Sequence, residues 1–338
     1  MQLVLQAISV FSDKIKKGVQ GRSETFAILE SKINSNDKTL WFHCASLGEY
    51  EQGLPVFKSL KKHYNEHKII LSFFSPSGYE IRKNSSIADI VVYLPIDTLK
   101  NAKRFIGLVH PNLTVFVKYD IWPNFLSVLK KKQLKAILIS ASFRENQSYF
   151  KFYGFNLRKA LFAFDHIFTQ NEASKKLLNN INYKNVTVAG DTRFDRVSDQ
   201  LNQNNQVTFI EDFKENKVCV VAGSTWPEDE NLFIGYINSQ ASNHVKFIIA
   251  GKKENLYEEE KERSGKYTNV EFLGTIPFEE VIPRTIRSNA IICLFDPTNP
   301  NNRVGLPNKI FECMTTGRPV IVTKGLYYSK IIEREKCG

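Results

Sequence analysis

Hydrophobic residues in this chain fall into two kinds of run that take turns. The short kind, rich in Val, Ile, Leu and Phe, comprises LWFHCA (40–45), KIILSFF (68–74), DIVVYL (89–94), LTVFVK (113–118), KAILIS (135–140) and HIFTQ (166–170). Their length and β-branched content predict strands. Between them lie longer stretches with apolar residues at helical spacing, such as GLPVFKSLKKHY and DIWPNFLSVLKKK. Strand alternating with helix predicts a parallel sheet covered on both faces. The pattern then restarts with KVCVVAG (217–223), VKFIIAG (245–251), VEFLG (270–274), AIICLF (290–295) and PVIVT (319–323). Between the two series sits GDTRFDRVSDQLNQNNQVTF, polar and rich in Asn and Gln, which predicts a boundary near residues 195–210. The expected architecture is therefore α/β, with two doubly wound Rossmann-like domains over 1–200 and 210–338. Such domains bind ligands at the carboxyl ends of their strands, and a cleft between the two is expected.

Composition narrows the function classes. The chain has 338 residues, 42% hydrophobic and 24% charged, with 25 Phe and 13 Tyr, which is the make-up of a folded protein. Its formal net charge of +11 suits an anionic partner such as a phosphorylated substrate or an anionic membrane surface. No basic tail, RNP-type pattern or zinc-finger spacing points to nucleic acid. The five cysteines, at 44, 219, 293, 313 and 337, have neither metal-ligand nor disulfide-framework spacing, and buried reduced thiols are expected. At the N-terminus the apolar part of MQLVLQAISVFSDKIKKGVQGR is too short to span a bilayer, and its charges follow it rather than precede it. With Lys14, Lys16, Lys17 and Arg22 behind it, it could rest on a membrane surface or form a helix packed on its own domain.

Several common chemistries lack their signatures. No G-x-G-x-x-G follows the first strand, no P-loop pattern is present, and no G-x-S-x-G elbow occurs. The six histidines show no H-x-x-x-H or H-E-x-x-H spacing, so no metal is expected.

What remains are polar loops after predicted strands. In HCASLGEYEQG the first strand runs into Ser46 and Gly48 and then a helix. Ser46 and Glu49 stand at capping-box spacing, where the two side chains would satisfy exposed amides. Alternatively Glu49 sits at the strand's carboxyl end as a general base, able to take a proton from an attacking hydroxyl. Glu51 is expected to project elsewhere. FSPSGYE offers Ser75, Ser77 and Gly78 for hydroxyl contacts and close backbone approach, and VKYDIWPN places Lys118, Asp120, Trp122 and Asn124 just past a strand. In the second half, AGSTWPEDE puts Gly223, Ser224 and Thr225 at a strand end, either as a capped helix start or as an anion site. Glu312, in GLPNKIFECMTTGRPVIV, could hold ribose hydroxyls or be a solvated helix carboxylate.

Taken together, WFHCASLGEYEQG, FFSPSGYE, YLPIDT, KYDIWPN, FRENQ, QNE, GDTRFDRV and AGSTWPEDE resemble, in order over roughly residues 20 to 250, the 3-deoxy-D-manno-octulosonate (Kdo) transferases of lipopolysaccharide synthesis. The likeness is greatest to the form found in Bacteroidetes-type bacteria. The resemblance implies a GT-B glycosyltransferase that moves Kdo from CMP-Kdo to a lipid A precursor, with inversion and without a metal or other cofactor. It also implies a peripheral protein at the cytoplasmic face of the inner membrane. The family's S-x-G-E glutamate is its general base and falls on Glu49, with Ser46 and Gly48 beside it. The acceptor and positioning loops fall on Ser75, Ser77 and Gly78 and on Lys118, Asp120, Trp122 and Asn124. On the donor side, the resemblance places Arg193 near the cleft and Gly223, Ser224 and Thr225 at the donor phosphate.

After FIIAG (247–251) the resemblance changes. Where the family has a basic loop, this chain has GKKEN, with Lys252. The remainder is similar to retaining GT-B enzymes that use nucleotide-diphosphate sugars, with Asn308, Lys309 and Glu312 as the nearest donor-side equivalents. In that group a first Glu stands eight positions before the second, where this chain has Val304. A recombined chain with an incomplete donor domain is one expectation. UDP- or GDP-sugar use, or an inactive remnant that binds lipid or a partner, are the alternatives.

Overall fold

The computed structural model describes residues 13–118, 120–202, 205, 208–223, 225, 244–250, 269–274, 276–277, 280–299, 302–303 and 306–338. The chain divides into two compact units, Met1–Thr192 and Arg193–Gly338.

In the first unit, helix α1 (Asp13–Lys32) precedes a strand-helix alternation. It runs β1 (Thr39–Cys44), α2 (Leu47–His63), β2 (Lys68–Phe73), α3 (Pro76–Arg82), β3 (Ile90–Tyr93), α4 (Leu99–Val109), β4 (Leu113–Val117), α5 (Pro123–Lys131), β5 (Lys135–Ala141), α6 (Phe155–Leu161), β6 (His166–Thr169), α7 (Glu172–Asn180) and β7 (Val186–Val188). The strands form one sheet in the order β3-β2-β1-β4-β5-β6-β7, and every pairing is parallel. β7 was not among the predicted strands. It is three residues long, lies on the sheet edge, and carries too short an apolar run to register as a pattern.

The strands read as near-continuous apolar runs because both faces are covered. On β1, Leu40, Phe42 and Cys44 enter the cluster beneath α2 with Phe57, while Trp41 packs on the other face with Phe105, Phe116 and Phe125. Each of these large side chains, fully removed from water, contributes about 1.5–3 kcal/mol. His43 shares the Trp41 face, a polar group in the middle of a parallel sheet. The N-terminal helix is packed rather than free from residue 13 onward. Thr25 Oγ1 donates to Tyr93 O at 2.8 Å. Arg22 donates to Leu94 O at 3.2 Å and to Phe74 O at 2.5 Å, its guanidinium 4.3 Å from the Phe74 ring centroid. The apolar residues before it lie outside the described residues.

The second unit opens with α8 (Arg193–Leu201), so part of the polar segment read as a boundary is helical. It continues with α9 (Thr208–Lys214), β8 (Val218–Gly223), β9 (Val245–Ala250), β10 (Val270–Gly274), α10 (Val281–Arg287), β11 (Ala290–Cys293), α11 (Asn308–Thr316), β12 (Val320–Val322) and α12 (Tyr327–Glu335). The sheet order is β10-β9-β8-β11-β12, again all parallel. In both sheets the strand order reverses beside the first strand, between β1 and β4 and between β8 and β11. Loops leaving the carboxyl ends there diverge, and such switch points are where open α/β sheets hold ligands. All five cysteines are free thiols, four of them buried.

One close approach joins the two loops nearest the first switch point. A Cβ on Gly78 would stand 2.4 Å from the Phe73 ring and 3.1 Å from the Leu47 amide nitrogen, and Ser75 N donates to Ala45 O at 2.8 Å. The start of α3 is thus seated on the start of α2. Gly78→Ala is expected to destabilise the first unit by about 1–3 kcal/mol through overpacking. A urea titration followed by circular dichroism checks this, with an unchanged midpoint counting against the seating.

Candidate functional site

β1 ends at Cys44, and α2 begins three residues later with Ser46 as its N-cap in extended backbone. The reciprocal capping box does not form. Ser46 makes no side-chain cap, and Glu49 reaches past it to accept the Ala45 N–H at 2.5 Å. That hydrogen bond turns the Glu49 carboxylate back over the end of β1, where it is buried, while Gly48 beside it is exposed. Glu51, two residues on, pairs with Arg82 at 2.7 Å, away from Glu49's partners.

The second carboxylate comes from across the switch point. β4 ends at Val117, and Lys118 takes the left-handed conformation at φ 67°, a backbone state that costs a non-glycine residue roughly 1–2 kcal/mol. The turn brings Asp120 to Glu49, within side-chain hydrogen-bonding reach. Burial, reinforced by the Asp120 charge, pushes Glu49 up from 4.5 to about 8, against the pull of the Ala45 amide and of Lys118. Asp120 Oδ2 also lies 3.2 Å from Nε2 of the fully buried His43. A carboxylic acid poised near neutrality, at a sheet's carboxyl edge, is suited to general acid–base work.

The other expected residues of this unit divide by what they touch. Trp122 lies edge-on to His43 at 5.5 Å between centroids and packs on Phe74 at 4.8 Å, so it flanks the ring that faces Asp120. Ser75 caps α3, its Oγ accepting from Ser77 N at 3.3 Å and meeting Ser77 Oγ at 2.9 Å. Asn124 is tied to the preceding loop instead: its backbone N–H donates to Asp97 Oδ2 at 3.2 Å and its Nδ2 to Asp97 O at 3.0 Å. Sequence reasoning missed His43 and Ser72. The available signal was a histidine standing in an otherwise apolar parallel strand.

In the second unit, Gly223 ends β8 and Thr225 follows, both half-buried, while Ser224 and Lys252 lie outside the described residues. Arg193 donates to Leu306 O at 2.7 Å and stacks over Phe311 at 4.0 Å, bracing α8 against the start of α11. Glu312 is buried on α11 with Arg196 at 3.9 Å, and burial raises its pKa above the ordinary value against the pull of Arg196 and Lys309. The solvated reading of Glu312 is therefore corrected. Asn308 opens α11 exposed, and Lys309 lies 5.7 Å from the Phe295 ring centroid. Among the described residues, no group of three His, Cys, Asp or Glu side chains is placed to hold a metal ion, and no helix is long and apolar enough to cross a membrane.

Comparison with known proteins places this geometry. Residues 20–196 match the family model described as 3-Deoxy-D-manno-octulosonic-acid transferase (kdotransferase), and residues 216–338 match glycosyl transferases group 1. The second match begins ahead of residue 250, where the resemblance was read to change. A 3-deoxy-D-manno-octulosonic acid transferase of Rickettsia bellii is 26% identical over 66% of this chain and 53% of its own length. One from Haemophilus influenzae is 24% identical over 69% and 55%. The chain thus spans about half the length of the curated relatives it matches. Among solved structures, the UDP-GlcNAc 2-epimerase from Neisseria meningitidis bound to UDP-GlcNAc has a TM-score of 0.60 at 14% identity, covering 88% of this chain and 85% of that one. The corresponding enzyme from Methanocaldococcus jannaschii also scores 0.60, at 10% identity, covering 88% and 86%. At such identities the likeness shows the fold alone, two parallel-sheet α/β domains of GT-B type.

The raised Glu49 value carries a stability consequence. The unfolded chain releases this proton near 4.5, whereas the native state holds it to about 8. Native stability attributable to the group is full below the lower value and is lost as pH rises through the upper one. Glu49→Gln is expected to match the wild type at about pH 4.5 and to be the more stable protein at about pH 8.5. Paired urea titrations check this, and a difference independent of pH would count against the burial of an ionisable Glu49.

Proposed function

The chain belongs to the 3-deoxy-D-manno-octulosonic-acid transferase family, and from that premise we propose that it transfers Kdo from CMP-Kdo to a lipid A precursor, with Glu49 as the general base. The observation that carries the reading is the Glu49 carboxylate, buried at the β1 exit with its proton held to about 8. As the acceptor hydroxyl oxygen bonds to the anomeric carbon of Kdo, its proton passes to Glu49 in its ionised form, a fraction that grows as pH approaches about 8. The bond from that carbon to the CMP phosphate oxygen breaks, its electron pair leaving with CMP, and the configuration inverts. Ser75, Ser77 and Lys118, close to the Glu49 loop in sequence order around the switch point, are proposed to orient the acceptor. The β8 exit at Gly223 and Thr225 is proposed to meet the donor phosphate, whose leaving charge backbone amides stabilise.

An anionic lipid surface is proposed as the place where the acceptor is met. A cavity of ≈ 610 Å³ lies along α5 and α6, its wall including Lys130, Lys131, Arg158 and Lys159 with Phe155 and Phe162. Beside it Phe152 is 92% exposed and Phe155 62% exposed. Aromatic rings standing in water among cations suit the boundary between headgroups and acyl chains.

A second reading rests on the match of residues 216–338 to glycosyl transferases group 1, and in it the donor is a UDP- or GDP-sugar. Thermal-shift titration with CMP, UDP and GDP separates the two, stabilisation by CMP alone supporting the first.

Glu49→Ala is expected to fold and to lose Kdo transfer by roughly 10²-fold or more. A radiolabelled-transfer assay reads this, and retained activity returns Glu49 to a helix-start role. Replacing Phe152 and Phe155 together by Ser is expected to reduce co-sedimentation with phosphatidylglycerol vesicles several-fold, and added salt is expected to weaken the wild type's binding as well. Undiminished sedimentation of the double variant would remove the patch from the proposal.

A further inference from the structure

We infer that Asp120 is a positioning residue for the transfer, held from behind by a buried Trp41–Ser72–His43 chain and keeping the transferable proton on Glu49. The inference rests on the reading of Glu49 as the base and extends it to residues with no assigned role.

The chain is built by register. The parallel pairing of β1 with β2 sets His43 beside Ser72, and alternation along β1 puts Trp41 on the same face as His43. All three side chains are fully buried. Trp41 Nε1 can only donate, and it donates to Ser72 Oγ at 2.8 Å. The one hydroxyl proton of Ser72 then has two acceptors in reach: His43 Nδ1 at 2.8 Å and Phe42 O at 3.5 Å. The shorter contact assigns it to His43. An imidazole accepting at Nδ1 carries its proton on Nε2, the nitrogen 3.2 Å from Asp120 Oδ2. The opposite tautomer would set a nitrogen lone pair of a fully buried ring against a carboxylate oxygen at 3.2 Å. Every donor in the chain therefore points the same way, and the last one ends on Asp120.

The ion-pair contact itself is off the hydrogen-bond axis, and neither His43 Nε2 nor Asp120 Oδ2 has a hydrogen-bond partner among the described residues. At 3.2 Å the two atoms are close enough to pair on a small rotation of the Asp120 carboxyl, whose other neighbour is Glu49.

A carboxylate that accepts a buried N–H is favoured in its charged form. Two carboxylates in reach of each other cannot both ionise cheaply, so a charged Asp120 leaves the proton on Glu49. The remaining groups around the pair do not undo this. Lys118, at the β4 exit, pulls Glu49 the other way with the smallest influence of those acting on it. The Cys44 thiol on β1 and the Tyr149 hydroxyl are both pushed up, Cys44 by its burial and by Glu49, Asp120 and Glu51, and Tyr149 by its burial and by Asp120. Both stay neutral. Glu51 on α2 is engaged by Arg82. When Glu49 does ionise, it is a stronger base than an unpaired glutamate, and that strength is what an acceptor hydroxyl needs.

The test is the pH dependence of kcat/KM together with a substrate-free titration, by NMR of protein labelled at the glutamate carboxyl carbon. The Glu49 resonance is identified by its loss in Glu49→Gln. Wild type is expected to titrate at about 8 in both measurements. Asp120→Asn, which keeps the shape and removes the charge, is expected to lower both midpoints by a unit or more and to reduce the high-pH rate. Asp120→Glu, which restores the charge, is expected to return them toward the wild-type value. His43→Phe fills the same aromatic surroundings without either nitrogen, and it is expected to move both midpoints downward, because an Asp120 that has lost its donor takes the shared proton more readily. Ser72→Ala, a smaller change, tests the same direction should His43→Phe fail to fold. A midpoint that stays put in Asp120→Asn while the rate falls would overturn the inference and leave Asp120 an ordinary contact residue. Full transfer by Glu49→Gln would instead overturn the proposed function, and the NMR midpoints would still decide whether Asp120 and His43 hold the proton on Glu49.

Discussion

Two acidic side chains drawn from the ends of adjacent parallel strands, Glu49 buried and Asp120 half-buried, carry two charges there only at a cost. That electrostatic constraint organises the first unit. Among the described residues, no ion pair to Glu49 is seen. Lys118 acts on Glu49 only weakly, and Arg82 is committed to Glu51. One proton must therefore stay, and the surrounding groups decide which oxygen keeps it. Burial of Glu49 under the first turn of α2 and the nearby charge of Asp120 both favour Glu49 as its holder.

The sheet makes this pairing available. In a doubly wound sheet, loops leaving neighbouring strands at the reversal of strand order turn toward opposite faces and leave room between them. β1 and β4 are those neighbours, paired through Leu40–Leu113 to His43–Phe116. Glu49 arrives by the helix that follows β1, and Asp120 by the turn that follows β4. The left-handed backbone at Lys118 is the local cost of aiming Asp120 inward. The third loop, after β2, fits only because Gly78 lets α3 approach Phe73 and the Leu47 amide. Residues that look like independent motifs along the chain are thus parts of one packed corner.

Most of the architecture was legible in the sequence, because parallel strands buried on both faces are uninterrupted apolar runs. Eleven strands stand where such runs occur, and the one missed, β7, is three residues long at an edge. The site was legible in part. Glu49 was singled out by its place after a strand and by the S-x-G-E resemblance, but spacing alone could not separate capping from catalysis. The structure removes the reciprocal capping box, since Ser46 makes no side-chain cap and Glu49 is bonded one amide beyond it. Asn124, beside Asp120 in the same motif, proves to be a clamp on Asp97, since four residues of loop allow neighbours to face different ways. His43 and Ser72 were illegible because their relation is one of cross-strand register, which a linear pattern does not encode. On the donor side, Glu312, read as a ribose ligand or a solvated carboxylate, lies buried beside Arg196 where α8 packs on α11.

The two units differ in how their carboxylates are managed, and the difference bears on what each can do. Glu312 has a guanidinium at 3.9 Å in a closed setting, so its charge is compensated from within the unit. A compensated buried ion pair chiefly holds two elements in register, here α8 and α11. Among the described residues Glu49 has no ion pair of this kind. Its neighbours are a second carboxylate, a backbone amide and, through Asp120, the buried His43 ring. That arrangement is less favourable for folding than an ion pair would be, because the native state must retain a proton the unfolded chain gives up. A cost of this kind is tolerated where it leaves a base ready to act near neutral pH. The chemistry proposed for the first unit therefore sits where its electrostatics are least settled, while the buried pair of the second unit links α8 to α11.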